Sequence, residues 1–452
     1  MNLIEKRKLF TAVILICVIA FVLRLLAAWP GLSNVPATFF RLDTESYLQP
    51  ALSLTYDNAY NSGIGSTAPS VGRAPGFPFF LALCFKCFGI VYAVPVVILC
   101  AIGALTCLPV FLAGRLLGGI RVGLIAAGLF ALNITAIANS PMYLTDSLYT
   151  FLVAWQLYFW VLFYRRQKVL FCTVALALAA AGTLVRPIGL VWILPALFLI
   201  CITPGINFKK KALAAGLSLL VFYGILLPWM YRNSTLGAGY CIDVNTGAMY
   251  HQNGAMLMSK ITGKPYEVEK QLILKELDEE LKDKVKYPDN KSQVDYRLKK
   301  LKALIIKHPF IYFSLHFKPV ILLPDAPTFF EILGYTKSDR GTLDVMQQHG
   351  VIAAVKHYFQ GQMWLLLLVI PAVAIAGITY AGCALQLGVW LWKRKFFMFF
   401  VFLAFVEYFL FMPGPITVPR YHLPALPLMT IMAGSGIVFV FSKWKKFRAK
   451  TQ

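Results

Sequence analysis

The first long apolar segment of the chain runs from Phe10 to Trp29 and reads FTAVILICVIAFVLRLLAAW. Its length matches the roughly 20 apolar residues that a helix needs to cross the hydrocarbon core of a bilayer. A basic start, Lys6-Arg7-Lys8, precedes it, as in secretory signal peptides, but their apolar core is only about 7 to 15 residues long. Because this run is longer and further apolar segments follow, we interpret it as a retained transmembrane helix.

The remaining sequence has the composition of a polytopic membrane protein. Of the 452 residues, 59% are apolar and only 14% are charged, and the mean hydropathy is +0.68. A soluble protein of this composition would have too little polar surface. We therefore predict an all-α transmembrane bundle of about ten spans, with short amphipathic helices in the outer loops. The predicted spans are Phe10–Trp29, Ile90–Ala113, Val122–Ala138, Ser147–Tyr164, Val169–Val185, Ile188–Ile202, Leu213–Met230, Met363–Trp392, Phe396–Met412 and His422–Phe441.

Basic residues predict the orientation of these spans. Lys and Arg concentrate in short cytoplasmic loops, and the basic clusters of this chain lie at every second helix end. Both termini are therefore predicted to be cytoplasmic in a multi-pass protein of the inner or plasma membrane. The net charge of +23 is scattered over loops, which argues against nucleic-acid binding and fits contact with anionic lipid head groups. The clusters are Lys6–Lys8, Arg115 with Arg121, Arg165–Lys168, Lys209–Lys211, Lys393–Lys395 and Lys443–Lys450.

Two polar regions remain on the outer side. The first, residues 30–75, contains a short amphipathic piece at 44–54, and the apolar segment 76–89 after it is too short to cross and is expected to lie along the interface. The second, residues 231–361, contains a charge-alternating helical stretch at 267–307. We predict three parts: a transmembrane module at 1–230 that includes the first outer loop, a large extracytoplasmic loop at 231–361, and C-terminal transmembrane helices at 362–452.

Acidic residues are scarce outside the second polar region. Only six of the 20 acids lie elsewhere, and two of these, Asp43 and Asp146, fall at the outer mouths of apolar helices. A membrane enzyme would keep a general base in such a position. Asp43 could instead merely cap the short helix that follows it. Glu407, inside a predicted span, is interpreted as a protonated or paired acid within the bundle rather than a functional group.

Cations at the outer mouths are unexpected under the positive-inside rule. Four Arg residues nevertheless occur there, and the planar guanidinium fork is suited to binding phosphate oxygens in pairs. An acid and phosphate-binding Arg residues at a membrane surface indicate a transferase that acts on a lipid-linked phosphate. The four residues are Arg73, Arg186, Arg232 and Arg420.

The order of these pieces resembles that of GT-C glycosyltransferases, most closely the bacterial members of the protein O-mannosyltransferase and aminoarabinose transferase superfamily. The resemblance covers essentially the whole chain and is strongest over the first 235 residues. The matching pieces are Asp43-x-x-x-Tyr47-x-x-x-Ala51, Arg73-x-Pro75-Gly76-Phe77-Pro78, Leu144-Thr145-Asp146-Ser147-Leu148, Arg186-Pro187, Pro228-Trp229-x-x-Arg232-Asn233 and Arg420-Tyr421-x-x-Pro424-x-x-Pro427.

The resemblance implies an inverting glycosyltransferase with a polyprenyl-phosphate sugar as donor and the active site on the extracytoplasmic side. Asp43 would deprotonate the acceptor hydroxyl, and Asp146 would help to position the acceptor or a metal. The acceptor is a lipid, a glycan, a wall polymer or a protein, which the sequence does not distinguish. The expected donor-phosphate residues are Arg73, Arg186, Arg420, Tyr421 and His422, with Glu45, Tyr47 and Arg232 as accessory residues.

One departure from the family concerns the metal. Many aminoarabinose-type members have two adjacent acids in the first loop, whereas Thr44 follows Asp43 here and the second acid is Glu45. A divalent metal is therefore compatible with the family but not supported by this sequence, and we assign no metal and no cofactor.

Two rival functions remain open. A transporter or flippase of a lipid-linked anionic glycan would also line a cavity with Arg, but it would tend to show internal symmetry and broken helices near the midplane. A ligase that joins preassembled glycans would share the lipid-phosphate leaving group but not this order of motifs.

Overall fold

The structure is a computed structural model that describes residues 2–317, 322–336, 342–359, 362–415 and 418–451. The described residues form helices joined by turns, with one isolated bridge between Asn61 and Pro69 in place of any strand. The predicted all-α class is therefore confirmed. The predicted boundary at residue 361 lies outside the described residues.

The amino-terminal part begins with a long apolar helix and continues through the first outer loop into the bundle. Asn2 caps the first helix. Its side chain accepts from the backbone N–H of Glu5, and the side chain of Glu5 accepts from the backbone N–H of Asn2. The helices are α1 (Leu3–Ala28), α2 (Val35–Phe39), α3 (Thr44–Tyr56), α4 (Gly76–Phe88), α5 (Ala93–Leu105), α6 (Cys107–Gly118), α7 (Ile120–Ala131), α8 (Ile134–Asn139), α9 (Asp146–Arg166), α10 (Val169–Val185), α11 (Ile193–Ile202) and α12 (Phe208–Thr235).

The second outer loop and the C-terminal part follow. In the loop, α14 and α15 enclose a small core of their own around Ile273 and Leu301. The helices are α13 (Ala255–Thr262), α14 (Tyr266–Glu280), α15 (Asn290–Lys307), α16 (Pro309–Ser314), α17 (Ala326–Ile332), α18 (Thr342–Phe359), α19 (Leu366–Trp392), α20 (Phe396–Phe411) and α21 (Leu426–Thr451).

Among the described residues, six helical segments are long and apolar enough to cross a membrane, and the chain is an integral membrane protein. The shorter apolar helices α7, α10, α11 and α20 coincide with the other four predicted spans. The predicted span Val122–Ala138 is wrong as an unbroken helix: it is interrupted after Ala131, because the side chain of Asn133 accepts from the backbone N–H of Ala136 and caps α8. The six long segments are Ile4–Gly31, Ala93–Gly118, Asp146–Arg166, Phe208–Thr235, Met363–Trp392 and Leu426–Trp444.

The C-terminal helices belong to the same bundle as the amino-terminal ones. One buried cluster of apolar side chains joins α6, α7, α9, α10, α20 and α21. Small residues allow close approach, since a Cβ added at Gly436 of α21 would lie 2.1 Å from the carbonyl oxygen of Gly382 in α19. Glu407 lies on the exposed side of α20, so the expectation that it lies inside the bundle is wrong.

A second apolar cluster forms the platform of the site. It joins α2, α3, α4 and α8 and includes Phe39, Phe77 and Tyr143, all fully buried. Helix α17 of the second outer loop packs on this platform, because the buried carboxylate of Asp325 accepts from the side-chain amide of Asn139 at 2.8 Å. The two outer loops therefore meet over one end of the bundle.

A glycine sets the contact between the first outer loop and the bundle. A Cβ added at Gly76 would lie 2.8 Å from the carbonyl oxygen of Leu184 and 2.8 Å from a methyl group of Val185. Such a contact requires a shift of the backbone, so we expect Gly76→Ala to destabilise the fold by about 1–3 kcal/mol. Thermal unfolding of detergent-solubilised protein measures this loss. The control is Gly216→Ala in α12, where an added Cβ meets no atom within 4 Å; equal unfolding temperatures for the two variants would contradict the prediction.

Candidate functional site

The first ion pair of the site joins Asp43 and Arg73. Asp43 precedes α3, but its side chain makes no hydrogen bond to the helix end, so the capping alternative is wrong. Its Oδ1 instead accepts from Nη2 of Arg73 at 2.5 Å, and Nε of Arg73 donates to Oγ of Ser46 at 2.8 Å. The guanidinium also lies 4.9 Å from the ring centroid of Tyr47. Because Asp43, Ser46 and Tyr47 share one face of α3, they hold the Arg73 side chain together.

The Asp43 carboxylate is the accessible member of this pair. Its side chain is 47% exposed, whereas that of Arg73 is 17% exposed. Burial lowers the pKa of the Arg73 guanidinium, but Tyr47 and Asp43 raise it, and the net pKa lies above its usual value. Arg73 is therefore a fixed cation, and one edge of the carboxylate faces open space.

The second ion pair joins Asp146 and Arg186 and is more deeply buried. Asp146 is the first residue of α9 and Arg186 directly follows α10, and these neighbouring antiparallel helices bring the two side chains together. Oδ1 of Asp146 accepts from Nη1 of Arg186 at 2.6 Å, and the Asp146 side chain is only 3% exposed. Burial lowers the pKa of Arg186, but the Asp146 carboxylate and the phenol of Tyr421 raise it above its usual value.

Tyr47 lies within the electrostatic range of both ion pairs. Burial raises the pKa of its phenol; Arg73 and Arg186 lower it, and Asp43 and Asp146 raise it. The two carboxylates and two guanidiniums thus belong to one cluster on the platform, at one end of the bundle.

Arg420 adds a cation whose hydrogen-bonding capacity is unused. It lies in a 3-10 turn, Pro419–His422, between α20 and α21. Its Nε is buried and has no hydrogen-bond partner among the described residues, and the described residues show no ion pair for its guanidinium. Burial lowers the pKa of Arg420, but the Asp146 carboxylate and the Tyr421 phenol raise it above its usual value.

Tyr421 lies between two guanidiniums. Its ring centroid is 5.4 Å from the Arg186 guanidinium carbon and 5.7 Å from that of Arg420. The negative face of an aromatic ring favours such contacts, so Tyr421 keeps the two cations in place despite their like charge. His422, the next residue, is buried with 1% of its surface exposed.

Two predicted accessory residues lie apart from this cluster. Glu45 is exposed and accepts from the side-chain amide of Gln49 at 3.1 Å. Arg232 donates to the backbone oxygens of Ser70 and Tyr60 at 2.9 and 3.1 Å. Arg232 therefore fastens the end of α12 to the first outer loop.

Arg41 and Asp243 lie near the site but were not predicted from the sequence. Arg41 forms an ion pair of 3.2 Å with Glu331 of α17, and its position two residues before Asp43 was a signal for it. Asp243 is buried beside the Arg73 loop; burial raises the pKa of its carboxyl to about 6, and Arg73 opposes that shift. Nothing distinguished Asp243 among the acids of the second outer loop.

The chemistry open to the cluster follows from these positions. An accessible carboxylate can accept a proton from a hydroxyl, and buried guanidiniums can bind an anion. Within the part of the chain that the structure describes, no group of three or more His, Cys, Asp or Glu side chains could hold a metal ion.

Comparison with known families confirms the predicted resemblance. Residues 72–231 match the family described as dolichyl-phosphate-mannose-protein mannosyltransferase. This segment contains Arg73, Asp146 and Arg186 but not Asp43 or Arg420. No curated protein matches the chain in sequence.

Similar solved structures establish the fold. An archaeal oligosaccharyltransferase, AglB from Archaeoglobus fulgidus, in complex with an inhibitory peptide and a dolichol-phosphate, matches 99% of this chain at a TM-score of 0.57 and 15% identity. The apo form of the Archaeoglobus fulgidus oligosaccharyltransferase matches 100% of the chain at a TM-score of 0.56 and 15% identity. The chain spans about half, 52%, of the length of each. Together with the family match, this likeness identifies the helical bundle as the GT-C fold.

The buried ion pair gives a test of the site's architecture. Asp146→Asn leaves the Arg186 charge buried without its carboxylate, so we expect a loss of about 3–5 kcal/mol in the free energy of unfolding. A double-mutant cycle with Arg186→Gln measures the coupling. The matched control is the Lys286–Glu280 pair, which is at least one-third exposed on both sides and should couple far more weakly, because solvent and salt screen exposed charges. Equal coupling in the two cycles would contradict the placement of Asp146 and Arg186.

Proposed function

We propose, from the GT-C fold of this chain and its match to the mannosyltransferase family over residues 72–231, that it is an inverting membrane glycosyltransferase. It moves a sugar from a polyprenyl-phosphate donor to a hydroxyl group of an extracytoplasmic acceptor. The observation that supports this most directly is the combination, in one cluster, of the accessible carboxylate of Asp43 and the buried Nε of Arg420, for which the described residues offer no acceptor.

Asp43 acts as the general base in this proposal. The acceptor oxygen forms a bond to the anomeric carbon while the bond from that carbon to the phosphate oxygen breaks. The hydroxyl proton passes to the Asp43 carboxylate, whose Oδ1 is held by Arg73 while its exposed edge faces the acceptor. Attack from the side opposite the phosphate inverts the anomeric centre.

Arg420 binds the departing phosphate. Its Nε is a buried donor without a partner among the described residues, and such a donor costs free energy unless an acceptor fills the space before it. A polyprenyl phosphate supplies that acceptor and leaves without a general acid, since fixed guanidiniums stabilise its charge. Arg73 and Arg186 form ion pairs with Asp43 and Asp146, respectively. We therefore propose that they mainly orient these carboxylates and contribute positive potential at the phosphate. Tyr421 and His422 complete the turn that holds Arg420.

The position of the cluster supports an extracytoplasmic site. It lies where α9 begins and α10 ends, and the other ends of these two helices carry the basic residues Arg165, Arg166 and Lys168. Under the positive-inside rule that basic end is cytoplasmic. The second outer loop lies over the site through α17, and we propose that this loop selects the acceptor, whether lipid, glycan or protein.

Substitution of the base tests the function. In membranes supplied with a labelled polyprenyl-phosphate sugar and the native envelope acceptors, we expect Asp43→Asn to lower kcat by about 10² to 10⁴. The KM for the donor should change little, because the amide still accepts a hydrogen bond from Arg73. The control is Asp57→Asn, an acid of the same loop whose side chain accepts from the hydroxyl of Ser53 and the backbone N–H of Gly65.

Wild-type turnover by Asp43→Asn would contradict the proposed role of Asp43. Movement of the labelled lipid across the bilayer without release of polyprenyl phosphate would contradict the glycosyltransferase and favour the transporter.

Substitution of the phosphate-binding cation gives a different kinetic signature. Arg420→Lys keeps the charge but removes the planar fork and the Nε donor, so we expect the KM for the donor to rise about 10- to 100-fold, which corresponds to the loss of one charge-assisted hydrogen bond. Initial rates at varied donor concentration measure it. The control is Arg121→Lys, which is exposed at the basic end of the bundle. An unchanged donor KM in Arg420→Lys would place the phosphate elsewhere.

A further inference from the structure

A cavity lies between the helices of the bundle, away from the charge cluster. It has a volume of about 560 Å³ and is enclosed by α9, α11, α19, α20 and α21. It runs along α21 from Leu428, near the site, to Ser442 at the opposite end. Fourteen residues of helix correspond to about 21 Å, which exceeds the depth of about 15 Å that one leaflet contributes to the hydrocarbon core.

Cations surround the far end of this cavity. Arg165, Lys393 and Lys395 line it there, and no ion pair of these three occurs in the described parts of the chain. The mouth of the cavity is therefore positively charged. A ligand that enters here meets three cations first and an apolar tunnel behind them.

The walls of the tunnel carry two buried donors. The indole N–H groups of Trp160 and Trp192 have no hydrogen-bond partner among the described residues, and the two side chains are only 8% and 3% exposed. Both residues line the cavity. Buried donors are normally satisfied, so an occupant that brings an acceptor oxygen to one of these indole N–H groups is favoured.

The depth of Trp160 indicates the kind of occupant. Trp160 precedes Arg165 by five residues in α9, about 8 Å along the helix axis. The headgroup layer of a bilayer is about 5–8 Å thick, so Trp160 lies where headgroup gives way to hydrocarbon. In a phospholipid this is the level of the ester carbonyl groups, which are acceptors only.

We propose that this cavity binds one anionic phospholipid from the leaflet at the basic end of the bundle. Its phosphate contacts Lys393, Lys395 and Arg165, an ester carbonyl accepts from Trp160, and an acyl chain lies along the tunnel toward Trp192. The bound lipid is distinct from lipid that merely surrounds the protein, because Trp160, Trp192 and Leu428 are buried between helices.

The test titrates delipidated full-length protein in detergent with phosphatidylglycerol and, separately, with phosphatidylcholine of the same acyl chains, and counts bound lipid by native mass spectrometry. We expect one phosphatidylglycerol to bind tightly and phosphatidylcholine to bind at least tenfold more weakly. The double variant Lys393→Gln/Lys395→Gln should weaken phosphatidylglycerol binding about 10- to 30-fold. Trp160→Phe, which keeps an aromatic ring but loses the N–H, should weaken it about 3- to 10-fold.

The matched control is Lys209→Gln/Lys210→Gln, which removes the same charge from exposed residues at the same end of the bundle but outside the cavity. It should bind phosphatidylglycerol as the wild type does. Equal weakening by the two double variants, equal binding of the two lipids, or no retained lipid in the wild type would each overturn the proposal.

Discussion

The ion pair between Asp146 and Arg186 is the interaction on which the site depends. A charged group at the end of an apolar helix is costly to bury unless it is paired, and α9 and α10 each place one such charge at the same end of the bundle. The pair joins the two helices there and orients Arg186 toward Tyr421, which in turn lies against Arg420. The carboxylate of Asp146 thus positions Arg186 directly and Arg420 indirectly, through the ring of Tyr421.

The first outer loop builds on that arrangement. Gly76 lets the loop approach the end of α10, next to Arg186, closely enough that Arg73 and Asp43 lie beside the buried pair. The two carboxylates therefore differ in solvent exposure: Asp146 is nearly inaccessible, whereas Asp43 is half exposed. Because of this difference, Asp146 can stabilise the structure, whereas Asp43 can exchange a proton with a substrate. The cations follow the same division, since Arg73 and Arg186 are paired, whereas Nε of Arg420 has no partner in the part of the chain that the structure describes.

Much of this organisation was predictable from the sequence because it rests on local signals. Apolar runs predicted the helices, and the Asp and Arg residues at the ends of these runs predicted the members of the charge cluster. The failures have physical causes: one side chain, Asn133, was enough to break a predicted span, and no periodicity told which side of the nearly all-apolar α20 would carry Glu407. Asp243 and the α17 contacts depend on how a long loop folds back, which no local pattern encodes. The pairing of side chains was also hidden, so the sequence did not show which of Arg73, Arg186 and Arg420 would be engaged by a carboxylate, whereas the hydrogen bonds of the described residues distinguish them.

The central claim is that the charge cluster is a phosphate site that faces an accessible carboxylate. The most direct measurement is an experimental structure of the full chain with a polyprenyl phosphate bound. The account predicts phosphate density within hydrogen-bonding distance of the Arg420 guanidinium, on the same side of the platform as Asp43, with the Asp146–Arg186 pair intact. A phosphate located away from Arg420, or an Arg186 that leaves Asp146 to bind it, would contradict the account.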